Sequence, residues 1–385
     1  MGQAHSATEQ PEPARLHWMS GLAPAGACIM ARIRHPRGLP RGAARMLARW
    51  VRRGSQQYPS HTRVQDALTR HGSTLGCTVT LDYTELFVNT ADWRWGLAFL
   101  LDVLAKPVLD DDVYEDLQLE SDEEWRAPTA AMWVARAWGW VAPETVASAA
   151  HLRGVWEHLY TFQYIQLLVG GAIPARVPSD FYDILRVATS PHPAGGACTP
   201  WVPPPPALTP APPAGGTHAT VAPGTGHAQR AATLTLLFPV PARLSRELRQ
   251  CLALVLEDLF GAACRHCPSW AQGVRCAWHA MGDAALVLAL DCAVDPRTTR
   301  AADAPAFVRQ ALQVVRSQFP SAAGTARAHE SMQKRRSVQC TRLDGAVRQA
   351  AEAAEAAEAA GRTPEQLHGA LAHVLRDHIL PGPHA

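Results

Sequence analysis

Lysine is almost absent from this sequence, and arginine supplies nearly all of its positive charge. Charges of the two signs nearly cancel, leaving a formal net charge of +2 over 385 residues. The electrostatic footprint of a nucleic-acid-binding protein is therefore missing. No apolar run approaches the roughly 18 uncharged residues that a membrane-spanning helix needs. The opening stretch, MGQAHSATEQPEPARLHW, lacks the apolar core of a secretory signal. Nor is there a disulfide framework. The nine cysteines (Cys28, Cys77, Cys198, Cys251, Cys264, Cys267, Cys276, Cys292, Cys340) are odd in number and scattered over a long chain, whereas secreted scaffolds are short and even-numbered. These absences point to a cytoplasmic protein in a reducing compartment. Glycine-rich phosphate loops, nucleophile elbows and Ser/His/Asp orders are likewise not found. What is present is a globular, core-rich composition, 47% hydrophobic with 18% charged residues, on a chain long enough for two domains.

One boundary stands out. Ser190–Gly226 is dense in proline and glycine around a PPPP centre, a composition that cannot sustain a hydrogen-bond ladder and predicts an extended linker. The halves on either side are similar in length. The expected organisation is an N-terminal domain over 16–189, a linker over 190–226 and a C-terminal domain over 227–385.

In the first half the pattern predicts a strand over Ala27–Ile33, an opening helix within Gly42–Ser55, and a helix over Arg63–Arg70. Period-2 alternation follows in GCTVTLDYTELFVN, where Cys77, Val79, Leu81 and Tyr83 alternate with polar neighbours, the mark of half-buried strands. Helices over Trp95–Leu104 and Val113–Trp125, the second one acidic, precede a buried strand in TFQYIQLLVGG. The second half repeats the recipe: a strand over Ala231–Val240, a helix over Ser245–Gly261, a strand over Gly282–Ala293 and a helix over Pro305–Gln318. Ala-rich helical sequence runs from Gly345 onward and reads as a solvated packing helix, because large apolar residues at coiled-coil spacing are missing. The fold class expected is α+β: two homologous α/β-sandwich repeats, each a mostly antiparallel sheet flanked by helices, joined by the Pro/Gly-rich linker.

The opening helix, GAARMLARWVRRGS, raises a chemical question. Arg45 and Arg49 share one helical face four residues apart, among apolar neighbours. The order of features around them resembles the inverted-motif zinc peptidases typified by pitrilysin and insulin-degrading enzyme. In that family the opening helix reads G-x-A-H-x-x-E-H and is followed by a Gly-Ser/Thr turn; here Gly42, Ala44, Arg45, Ala48 and Arg49, then Gly54-Ser55, occupy that frame. The helix, glycine turn and strand pair in RVQDALTRHGSTLGCTVTLDYTELFVNT is similar to the family's next elements, including a D-x-T-like step at Asp82-Tyr83-Thr84. The acidic helix that follows is similar to the one that carries the third zinc ligand. The resemblance covers most of Leu16–Arg186 and extends more weakly over the second half.

The diagnostic letters are replaced. Zinc needs two imidazoles and a carboxylate with free lone pairs. Arginine stays protonated and has no acceptor, so Arg45 and Arg49 cannot ligate it. Ala48, at the position of the glutamate that activates water, has no group to accept a proton. Only the acid of the third-ligand region survives, as Asp122, Glu123 and Glu124 with Glu120 just before them. The resemblance thus implies a silent, non-catalytic chain that holds no cofactor of its own. Its expected partner is an HxxEH-bearing catalytic subunit, which would bring the zinc and the base, with a peptide as substrate and no nucleic acid or membrane involved. A peptide-binding or scaffold protein without proteolysis, on the same fold, is the alternative. A surviving carboxylate in the altered pocket is expected to have gained a cation, through a contact of Arg45 or Arg49 to Asp122, Glu123 or Glu124.

Other candidates are weaker. Silent subunits of this family often grip the substrate backbone with an Arg/Tyr pair in the second half, and Arg265 is the candidate arginine, with no tyrosine near Gly273. Cys264-x-x-Cys267 and Cys276-x-x-His279 have metal-knuckle spacing, so a structural zinc, or an enzyme built on these cysteines, is a rival. Against it, Cys276 and His279 fall on an expected strand, where residues three apart point to opposite faces. His151 and His158, seven apart on one helix with Glu157, read as surface histidines. Trp93, Trp95, Trp133, Trp138 and Trp140 read as core, with a substrate-cleft floor as the alternative.

Overall fold

The segment RLHWMS forms β1 (Arg15–Ser20), and ACIMARIR follows as β2 (Ala27–Arg34). In chain order come β3 (Leu39–Arg41), α1 (Ala43–Trp50), α2 (His61–Arg70), β4 (Thr74–Val79), β5 (Tyr83–Thr90), α3 (Trp93–Ala105) and α4 (Asp111–Arg126). They are followed by β6 (Val141–Thr145), α5 (Ala149–Leu159), β7 (Ile165–Gly171) and α6 (Ser179–Thr189). Further along the chain lie β8 (His218–Ala222), β9 (Ala232–Pro241), α7 (Arg246–His266), β10 (Gly273–Met281), β11 (Ala285–Val294) and α8 (Leu343–Glu355). The computed structural model describes residues 15–36, 38–80, 83–108, 111–126, 141–160, 165–189, 218–222, 232–241, 246–266, 273–281, 285–294 and 342–355, with a few further positions between 313 and 370. The chain divides into two units. One comprises Met1–Ser121, Glu144–Pro203 and Gln339–Ala356, the other Asp122–Pro143, Pro204–Val338 and Ala357–Ala385.

The first unit is built on a five-stranded sheet in the order β1-β7-β2-β5-β4. Its pairings are antiparallel except β1 with β7. β2 and β7 sit inside the sheet and are buried on both faces, which is why ACIMARIR and IQLLVGG read as nearly continuous apolar runs. The alternate residues Ile29, Ala31 and Ile33 join the main core with Leu47, Trp50, Leu100 and Leu104 of the helices. Cys28 and Met30, with Phe87 and Leu168, form a second layer on the opposite face. β4, at the sheet's edge, is only partly buried, as the half-buried alternation predicts. Helix starts follow side-chain chemistry: Ser60, Asp92 and Ser148 each accept backbone N–H groups at the first turns of α2, α3 and α5.

The second unit has a four-stranded antiparallel sheet in the order β10-β11-β9-β8. The two sheets share a recipe. In each, a strand leads through helix into an antiparallel hairpin whose second strand pairs back on the first: β2-β5-β4 in one unit, β9-β11-β10 in the other. This common order is the physical trace of the repeat read from the sequence, and the architecture is α+β as expected.

Two findings differ from the expected boundaries. Residues 218–222, inside the stretch read as linker, form β8, with Thr220 opposite Thr235 of β9. A short Thr/Val segment acquires strand structure there because a distant partner supplies its ladder. The Ala-rich α8, read as part of the C-terminal domain, belongs to the first unit. Its Val347 is wholly buried against Cys28, Met30, Phe87 and Leu168, closing the second face of the first sheet. Of the expected helix over 305–318, Gln313 alone is among the described residues, and it is helical.

Candidate functional site

α1 begins at Gly42, whose φ of 81° is a left-handed conformation that glycine adopts without steric cost. No side chain caps this start. Ala43, Met46, Leu47 and Trp50 are buried in the core, while Arg45 and Arg49 lie half-buried on another face. Ala48 is 2% exposed, so this helix position presents a buried methyl group.

The turn after α1 is fixed from several sides. The backbone at Gly54 passes close to that of Tyr58 and Pro59, and a Cβ there would lie 3.2 Å from both. Ser55 is fully buried; its hydroxyl donates to Asp102 of α3 and accepts the Tyr58 N–H at 3.2 Å. Gln56 N–H donates to Lys106 O at 2.9 Å, and Val108 N–H to Gly54 O at 3.1 Å. The Gly-Ser turn is thereby stapled to the segment that enters α4. Tyr114 then ties α4 to the chain before α5 by donating its hydroxyl to Val146 O at 2.9 Å.

These ties leave α1 and α4 facing one another through charge. Arg49 Nη1 lies 2.8 Å from Glu120 Oε2. Arg53 Nη2 lies 3.4 Å from Glu120 Oε1, and Arg53 Nη1 lies 3.4 Å from Asp116 Oδ2. The contact of Arg49 therefore falls on Glu120, just ahead of the acids at which it was expected. Asp122, Glu123 and Glu124 continue α4, but their side chains lie outside those described. Sequence reasoning missed Arg53 and Asp116. The available signal was spacing, since Arg49/Arg53 and Asp116/Glu120 are both four residues apart.

β4 runs beside α1. Burial pushes the Cys77 thiol of this strand up to about 11, against an opposing pull from Arg52. That thiol is protonated, and hence a poor nucleophile, at neutral pH. A second charged cluster, also missed, lies on the other face of the sheet. Glu85, with no exposed surface, accepts from Arg32 Nη2 and from Arg348 Nε of α8, each at 2.8 Å. A charged pair facing across two central strands could have been suspected, but its third member comes from far along the chain.

The remaining candidates disperse. Cys264 and Arg265 lie in the last turn of α7, and Cys276 and His279 in β10; Cys267 lies outside the described residues. Cys276 pairs with Leu290 and His279 with Val287, three positions further along the strand. His151 Nδ1 accepts the Ala147 N–H at 3.2 Å at the start of α5. Trp93 meets Trp18 edge-on at 5.4 Å between ring centres. Trp95 stacks between His71 and Phe99, at 4.0 and 5.0 Å. Trp133, Trp138 and Trp140 lie outside the described residues. Among the described residues, no three His, Cys, Asp or Glu side chains group as a metal site, and no helix is long and apolar enough to cross a membrane.

No family model and no curated protein matches the sequence. Solved structures do match. A protease from Helicobacter pylori superposes with a TM-score of 0.67 at 12% identity, covering 92% of this chain and 93% of that one. A putative M16-like peptidase from Alicyclobacillus acidocaldarius gives 0.56 at 14% identity, over 90% and 89%. The periplasmic protease PqqL from Escherichia coli gives 0.61 at 13% identity; 92% of this chain corresponds to 42% of that one. The fold is that of the M16 peptidases. A zinc ion belongs to the chemistry that the inverted motif serves, and the donor set here does not fit one. In the frame that the sequence resemblance implies, Arg45, Arg49 and Ala48 would offer two guanidiniums and a methyl group to the ion. The Glu120 carboxylate is engaged by Arg49.

Proposed function

We propose that this chain is the catalytically silent subunit of an M16-type peptidase, working in the cytoplasm with an HxxEH-bearing partner that carries the zinc and the general base. The observation that carries this reading is the charge at α1. Arg45 and Arg49 offer no lone pair and Ala48 offers no base, while 90% of the chain superposes on a putative M16-like peptidase. The role proposed for the chain is to form one wall of the peptide chamber and to bind part of the substrate.

An edge strand supports the binding role. β4 ends the strand order of its sheet among the described residues. A peptide in extended form can add to such an edge by backbone hydrogen bonds, with affinity from the main chain and selectivity from alternate side chains. Without a partner that brings chemistry, the same surface would make this a peptide-binding protein, the alternative reading.

Co-expression with an HxxEH-bearing M16 chain tests the proposal. A stable complex of the two chains on size-exclusion chromatography is expected. Two independently eluting monomers at micromolar concentration would remove the partnership and leave the peptide-binding reading.

A further inference from the structure

α1 is eight residues long and starts without a side-chain cap, too short to persist without tertiary support. Its apolar face is anchored in the core, and on its arginine-bearing face Arg49 meets Glu120 of α4 through charge. A divalent ion shared between two helices does two things: it supplies two positive charges against nearby acids, and it pins the elements together. Arg49 and Arg53 supply two positive charges, and Asp116 and Glu120 supply two negative ones. Both oxygens of Glu120 are used, Oε2 by Arg49 and Oε1 by Arg53. The matched spacing of four on each side turns these contacts into a short ladder rather than a single pair.

We infer that the Arg49–Glu120–Arg53–Asp116 ladder replaces a divalent metal as the tie between α1 and α4, and that Glu120 is the carboxylate a metal in this place would take. The inference rests on the reading of α1 as an altered zinc helix. Its consequence is a chamber wall whose integrity does not depend on metal supply. The participating side chains are between about a third and two thirds exposed, so each contact alone is screened and weak. The tie lies in the coupling between them.

A double-mutant cycle on the purified full chain, read by melting temperature at low ionic strength, tests the tie. Arg49→Met and Glu120→Gln should each lower it by about 2 °C. The double variant should fall no further than the worse single one, and the charge swap Arg49→Glu with Glu120→Arg should recover most of the loss. Losses that simply add in the double variant, or no loss in either single variant, would overturn the ladder.

A second arm tests the assignment of Glu120. The triple variant Arg45→His, Ala48→Glu, Arg49→His should take up one zinc per chain by elemental analysis, and Glu120→Gln in that background should abolish the uptake. A folded triple variant that binds no zinc, or one that keeps zinc after Glu120→Gln, would overturn it. Should the triple variant fail to fold, the same uptake is read on Arg45→His with Arg49→His. Both arms use this chain alone, so a failed partnership with an HxxEH subunit leaves them unmoved.

Discussion

Arg348 and Glu85 are 263 residues apart in sequence and meet at 2.8 Å. That contact, beside the burial of Val347, ties α8 to the sheet of the first unit, where Glu85 is also held by Arg32 from the neighbouring strand. A fully buried carboxylate is tolerated because two guanidiniums balance it. Arg32 lies in addition over the Tyr83 ring, 5.0 Å from its centre.

Glu85→Gln leaves two guanidiniums facing a neutral amide, and should lower unfolding free energy by about 3 kcal/mol. Arg348→Met should cost less, because Arg32 still pairs with Glu85 and Arg348 is itself a quarter exposed. Urea denaturation of the two variants gives the comparison. A smaller effect for Glu85→Gln than for Arg348→Met would contradict the view of Glu85 as the hub.

Ser55→Ala removes the hydroxyl that donates to Asp102, leaving a buried carboxylate short of one donor. The expected cost is about 1–3 kcal/mol. Because this contact holds the turn that leads out of α1, hydrogen exchange should quicken at the backbone N–H groups of Gln56 and Val108. Unchanged exchange at both would show that the turn is held without Ser55.

Cys77 should react slowly with iodoacetamide at neutral pH and speed up only as pH approaches about 11, where its thiol ionises. The linkage runs in the same direction. The folded chain keeps this thiol protonated above its ordinary value of 9.0, so its contribution to stability is complete below that value and is lost as pH rises from there through about 11. Cys77→Ser should flatten that part of the stability profile. A Cys77 that alkylates at the rate of a free thiol at pH 8 would contradict the burial.

Much of the first unit was legible in the sequence. Alternation marked β4, the continuous apolar runs of β2 and β7 marked interior strands, and Lys106-Pro107 marked the end of α3. That Arg45, Ala48 and Arg49 can neither ligate a metal nor accept a proton was legible too, because residue type alone decides it. What the sequence did not reveal was placement across distance. That Arg49 meets Glu120 depends on the phase of α4, which the length of the connection after α3 sets and no local pattern records. α8 read as a solvated helix because the partners of Val347 and Arg348 lie far away along the chain. β8 stayed hidden among prolines because its hydrogen bonds come from β9.

Elemental analysis of the purified chain should find no zinc bound at the α1 face. One equivalent of zinc that survives Cys264→Ala but is lost on changing Glu120, Glu123 or Glu124 would show that the arginines do not exclude a metal.

The most direct test of the central claim is a peptide-cleavage titration. An HxxEH-bearing partner chain is held at a dilute, fixed concentration while this chain is added. If this chain is the silent half of the peptidase, the rate should rise from near zero and saturate at one equivalent, and Arg45→Ala should leave the partner's zinc content unchanged. Full cleavage by the partner alone, unaffected by added chain, would contradict the account.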